Sequence, residues 1–257
     1  MATYLLKKSY QLKNLREVNF KDLWGDHGVF TTMWIFGKPV KILFFENHIR
    51  NLIRSLKGYG ISKKSLKKDI IKIINTNLSK EKKYNHLLRV ALNKRVISLS
   101  LRKRVTPKKD FNLKLVNLRR EKPKYKNLKY KKILSHLTKL DNSRSDIGLV
   151  VNNRILETGT SNLLFVKKQK IFSPLKDYYE GNTYKFFKSK IKKISKKNIL
   201  IKELNDFEEI ILIGSGKGVT SVKSIKEIRW QRKSLNKFKE FSKYYRLAVK
   251  KCNHYKF

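Results

Sequence analysis

Cysteine is nearly missing from this chain. The single Cys252 among 257 residues excludes an internal disulfide framework. Histidine is scarce as well: His27, His48, His86, His136 and His254 have no paired spacing, so no metal site is predicted. No stretch approaches the ~20 apolar residues that span a bilayer. The opening segment, MATYLLKKSY, lacks the apolar run of a secretory signal. A cytoplasmic protein with no membrane partner is expected. There is no internal repeat, and the low complexity is confined to lysine. Acid is the remaining shortage: 19 Asp and Glu face 63 Lys and Arg, a formal charge of +44.

Such an excess fits either a phosphate-coated partner or a solvated lysine-rich surface. The lysines run through every segment, and aromatics do not alternate with them as a stacking platform requires. The solvated surface is the expectation, with a basic nucleic-acid-binding protein as the alternative from another class. Hydrophobic residues make up 40% of the chain, too many for a disordered polycation. The length suits one large domain or two modest ones.

Apolar patterning predicts strands over 28–36 and 40–45 around Gly37-Lys38-Pro39, then a helix over 46–61 ended by Gly58 and Gly60. Ser62 can cap a second helix whose apolar face carries Leu66, Ile70, Ile73, Ile74 and Leu78. Strands follow over 87–93, 96–103 and 114–118. The polar, proline-bearing 120–127 reads as a linker, so the predicted domains are 1–119 and 128–257. In the second, a helix over 129–140 precedes two hairpins, 148–152 with 154–158 and 162–168 with 170–174. The first turns at Asn152-Asn153. A helix from Thr183 to about Lys196, strands over 209–214 and 221–228, and a helix over 235–251 complete the reading.

Three segments of this second half carry chemistry. Glu157 ends a strand whose Val151 and Ile155 face a core, and a carboxylate there is costly unless paired. A protonated ring nitrogen would meet that cost. EGNT (180–183) opens a helix, whose first turn presents N–H groups and the positive end of a dipole, with the Thr183 hydroxyl added. GSGKG (214–218) follows an apolar strand and offers backbone amides and the Ser215 hydroxyl to a phosphate. Asn162 can fasten a turn through backbone hydrogen bonds. Each segment alone is as readily a cap, a turn or a surface acid.

In this order, with GDHGVFTTM (25–33) and HIRNLIRSLKGYGI (48–61) ahead of them, the segments resemble the class IV aminotransferases, the fold-type IV pyridoxal-phosphate enzymes. The resemblance covers roughly 25–230 and runs through Glu157, SNLLF (161–165), Ser173-Pro174, Gly181-Asn182-Thr183 and GSGKGVTSV (214–222).

It implies an α/β (α+β) fold of two domains: a small N-terminal α/β domain, and a larger C-terminal domain built on a barrel-like sheet. The implied cofactor is pyridoxal 5'-phosphate. Glu157 would meet the pyridine nitrogen, and Thr183 with the Asn182 amide and Ser215 with the Gly216 amide would grip the phosphate. A lysine would form the Schiff base: Lys129, or alternatively Lys126. Where the family's first helix reads His-x-x-Arg-Leu, this chain has His48 and Asn51, which leaves Arg54 or Arg50 as a substitute on the phosphate. The implied reaction is that of 4-amino-4-deoxychorismate lyase, releasing 4-aminobenzoate and pyruvate. The alternative is a branched-chain or D-amino-acid transaminase. The departures also admit an inactive member. A small-molecule substrate and a homodimer complete the expectation.

Overall fold

The computed structural model describes residues 4–191 and 193–257, and the chain divides into two compact units. The first comprises Met1–Arg104, Tyr125–Lys131 and Lys251–Phe257; the second comprises Val105–Lys124 and Lys132–Lys250.

The first unit is built on β1 (Tyr4–Gln11), β2 (Glu17–Val18), β3 (Gly28–Gly37), β4 (Lys41–Ile42), β5 (Tyr84–Asn93) and β6 (Val96–Lys103). They form one sheet in the order β2-β1-β6-β5-β3-β4. Alternation sorts their side chains: Met33 and Ile35, Leu88 and Val90, and Ile97 and Leu99 share a core with the apolar faces of α1 (Phe45–Lys57) and α2 (Leu66–Asn77). On a separate cluster Phe30 and Ala91 pack with Leu23, Val96 and Leu128. The predicted strand over 40–45 shortens to β4, because α1 begins at Phe45 behind a left-handed Phe44 (φ 56°).

The second unit holds β7 (Phe111–Asn117), α3 (Lys131–Leu137, whose first residue belongs to the other unit), β8 (Ser145–Val151), β9 (Arg154–Thr158), β10 (Asn162–Lys167) and β11 (Lys170–Pro174). These are followed by α4 (Asn182–Lys190), β12 (Ile194–Lys197), β13 (Glu209–Gly214), β14 (Gly218–Ile225), β15 (Trp230–Gln231) and α5 (Asn236–Lys250). Its strands make a curled nine-stranded sheet, β12-β11-β10-β13-β14-β7-β8-β9, with β15 on β14. β10 and β13 lie inside this order and are continuously apolar, as strands covered on both faces must be. Asn152 and Asn153 both take positive φ (48° and 56°) and turn β8 into β9, as their sequence suggests. Glu209, 1% exposed, accepts from the amides of Lys237 (2.9 Å) and Phe238 (2.8 Å) and so caps α5.

Three expectations need correction. The strand predicted over 114–118 is β7, and it lies in the second unit, between β14 and β8, with parallel pairing to both. The 120–127 segment is accordingly no simple linker: residues to Lys124 stay with the second unit, and Tyr125–Lys131 returns to the first. The helix expected to reach Lys196 stops at Lys190, and 194–197 instead pairs in parallel with β11. The last residues, Lys251–Phe257, rejoin the first unit, where the Tyr255 amide donates to Val40 O at 2.7 Å.

Gly28 opens β3 with its space fully taken: a Cβ there would lie 2.1 Å from Leu92 O and 2.8 Å from Leu128 Cδ1. Gly28→Ala is therefore expected to destabilise the protein by about 1–3 kcal/mol or more, the usual cost of overpacking. Urea unfolding followed by circular dichroism measures it.

Candidate functional site

Glu157 is 3% exposed at the end of β9, and its partner is inside the protein. Arg120 Nε donates to Oε1 at 2.8 Å and Nη2 to Oε2 at 3.3 Å. This bidentate pair meets the cost that the sequence assigned to a ring nitrogen. A carboxylate has about four acceptor positions, so two donors leave it room for a third. Next to Arg120, Arg119 donates to Asp177 at 2.7 Å, and Asp177 lies in the segment leading to α4. The two adjacent arginines thus grasp the acid and the approach to the helix.

The turn after Glu157 ties itself together. Thr158 Oγ1 accepts from the amides of Ser161 (2.8 Å) and Thr160 (3.2 Å) and donates to buried Asp146 at 3.0 Å. The next residue, Asn162, reaches α4: its Nδ2 donates to Tyr179 O at 2.6 Å and its Oδ1 accepts from the Gly181 amide at 3.0 Å. Asn162 thus bonds backbone, but that of the distant 179–181 segment and not of the neighbouring turn, which Thr158 ties instead. On the other side, Ser161 lies against the 214–218 loop, where a Cβ on Gly214 would meet Ser161 Oγ at 2.8 Å. One turn therefore brings the three motifs together.

α4 starts at an extended Gly181 N-cap (φ −71°, ψ 165°), with Asn182 and Thr183 buried in its first turn. Thr183 Oγ1 is buried and has no hydrogen-bond partner among the described residues. A hydroxyl kept from water at the positive end of a helix suits an anion's oxygen. Ser215 and Gly216, both half-buried, sit in the short loop between paired Gly214 and Gly218. Buried Thr183 at the helix start and the Ser215-Gly216 loop are donors of the kind a phosphate group takes.

The first unit gathers a different set. His48 and Asn51 share the buried face of α1 with Ser55, whereas Arg50 and Arg54 are exposed. Arg54 therefore stands away from the face on which the sequence comparison placed the family arginine. His48 Nδ1 lies 2.7 Å from Thr31 Oγ1. Burial, together with the nearby Lys126 ammonium, pushes the imidazole down to about 3. Lys126 is half-buried, with Nζ 5.1 Å from the Phe30 ring centroid and its carbonyl accepting from the Phe30 amide at 2.9 Å. Lys129 is exposed.

Arg120 and Asp146 are the residues that sequence reasoning missed. Arg120 stands in a polar run that looks solvated. Asp146 carried one weak signal, an acid leading directly into an apolar strand.

The model of the family Amino-transferase class IV matches residues 28–225. No curated protein sequence matches significantly. Solved structures with the same fold include a branched-chain aminotransferase from the thermophilic archaeon Thermoproteus uzoniensis with norvaline (16% identity, 95% of each chain, TM-score 0.75). A putative branched-chain amino acid aminotransferase from Thermotoga maritima has 17% identity over 95% of this chain and 96% of that one, TM-score 0.76. A putative 4-amino-4-deoxychorismate lyase from Legionella pneumophila has 18% identity over 86% and 91%, TM-score 0.68.

Two outcomes follow from the geometry. Arg120→Met strands a buried carboxylate and is expected to cost about 3–5 kcal/mol, measured by urea unfolding, with Glu157→Gln in the same chain restoring part of the loss. For His48, the folded protein holds the neutral imidazole while the unfolded chain protonates near its ordinary 6.5. Its contribution is complete above that pH and is lost as pH falls toward 3. His48→Gln should flatten this part of the acid limb in a pH series of urea midpoints.

Proposed function

The chain belongs to the class IV aminotransferase family, enzymes dependent on pyridoxal 5'-phosphate, and from that premise we propose that it is a 4-amino-4-deoxychorismate lyase, releasing 4-aminobenzoate and pyruvate. The carrying observation is the 158–162 turn, which joins Glu157, the α4 start with its unpartnered Thr183 hydroxyl, and the Gly214–Gly218 loop. When bound, the cofactor supplies an electron sink for bond cleavage next to an amino-bearing carbon.

The protein's residues divide the remaining tasks. Thr183 Oγ1 and the Asn182 amide, with Ser215 and the Gly216 amide, hold the phosphate. Glu157 accepts the ring N–H, and Arg120 orients that carboxylate as a positioning residue. Lys126 serves as the covalent lysine and proton carrier. Its half-burial beside Phe30 and His48 favours it over exposed Lys129, the residue that sequence reasoning preferred. Arg54, exposed on α1, is given no part in the phosphate grip in this reading. In this reading the second unit supplies the anion's donors.

Elimination is favoured by the Phe30-Thr31-Thr32 run. Thr31 and neutral His48 form a hydroxyl–imidazole pair in the neighbourhood of Lys126. Transamination is the second reading, favoured by the Lys126-x-Leu128-x-Tyr130 spacing with Tyr130 buried at 6%. We also propose a homodimer acting in the cytoplasm on a small-molecule substrate.

The test begins with the protein purified with pyridoxal 5'-phosphate. A visible absorbance band is expected in the wild type and in Lys129→Ala, abolished by borohydride with the pyridoxyl group left covalently on the protein, and it is expected to be missing in Lys126→Ala. A band lost only in Lys129→Ala would reverse the lysine assignment, and no band in the wild type would overturn the enzyme reading. Release of 4-aminobenzoate, against formation of a new amino acid from a 2-oxo acid, separates the two reactions.

A further inference from the structure

Lysine is abundant here and mostly solvated, yet Lys217 is 8% exposed. Its Nζ donates to Asn142 O at 3.0 Å, lies 4.0 Å from Asp146 Oδ2, and stands 4.6 Å from the Phe111 ring centroid. Its own carbonyl accepts from Thr220 Oγ1 at 3.2 Å. The side chain is therefore held along its length, and it directly follows Ser215 and Gly216.

Asp146 is the other half of this arrangement. It is fully buried and accepts from Thr158 Oγ1 at 3.0 Å and Thr160 Oγ1 at 2.5 Å. Its Oδ1 accepts from the Ile147 amide at 2.8 Å. One carboxylate thus meets the turn after Glu157 and the lysine of the 214–218 loop, while that lysine also fixes the segment at Asn142. Both bear on residues that the proposed function sets against the ligand.

We propose that Lys217 and Asp146 form a positioning pair that sets the Ser215-Gly216 loop in register with the 158–161 turn, fixing the phosphate grip relative to the acid on the ring side. This rests on the reading of Ser215 and Gly216 as phosphate donors. A buried ion pair whose partners are also hydrogen-bonded has one arrangement of low energy, so it transmits position between loops better than a solvated pair. Lys217 is then a positioning residue for phosphorylated ligands in particular.

Hydrogen–deuterium exchange on the full ligand-free chain reads the tether alone. Lys217→Met is expected to raise amide exchange about tenfold in both 214–218 and 158–161, while Lys217→Arg retains protection. Titration then compares pyridoxal 5'-phosphate with pyridoxal. Lys217→Met should weaken the phosphorylated compound about tenfold and leave pyridoxal within about twofold. Thr160→Val, which alters the network without changing charge, should move both readouts in the same direction. Unchanged exchange at 158–161 in Lys217→Met would overturn the tether. Equal weakening of both compounds would overturn its role in the phosphate grip. A wild type that binds both compounds alike would overturn the phosphate reading and the purpose assigned to the pair, even if the exchange results show the tether in place.

Discussion

A carboxylate taken out of water must find its donors inside the protein, and the second unit meets that constraint three times. Asp146, Glu157 and Glu209 are each at most 3% exposed. Glu209 takes the first amides of α5 and fixes where that helix starts. Glu157 takes the fork of Arg120. Asp146 takes two threonine hydroxyls and lies near a lysine. Two of the three, Asp146 and Glu157, hold elements of the candidate site.

The site itself is a local assembly around one turn. Residues 158–162 follow the acid, bond among themselves, and touch the helix start on one side and the Gly214 loop on the other. That explains why the order of the motifs is more informative than any one of them. Each string is ordinary, but a single turn must be compatible with both neighbours.

What was legible in the sequence was what is local. The Asn152-Asn153 turn, the apolar runs of β10 and β13 and the buried stripe of α1 each depend on residues within a few positions of one another. β7 was misassigned because its strand partners are parallel and lie about 30 and 110 residues away along the chain. β12 was hidden because a run of Ile and Lys satisfies a helix as well as a strand. Arg120 was invisible for a related reason: its role depends on a residue 37 positions away, and its neighbours look solvated. The cost of burying Glu157 was legible, but its internal partner was not, because the sequence offers no way to see a distant guanidinium.

The path of the chain has a consequence of its own. It passes from one unit to the other after Arg104, returns at Tyr125, leaves again after Lys131 and comes back at Lys251. No single cut can therefore release either unit as a continuous polypeptide. A fragment ending anywhere between these crossings would lack the Tyr125–Lys131 piece, the closing tail or part of the nine-stranded sheet. The two units are interleaved in covalent order, so no one continuous stretch of the chain contains either of them whole.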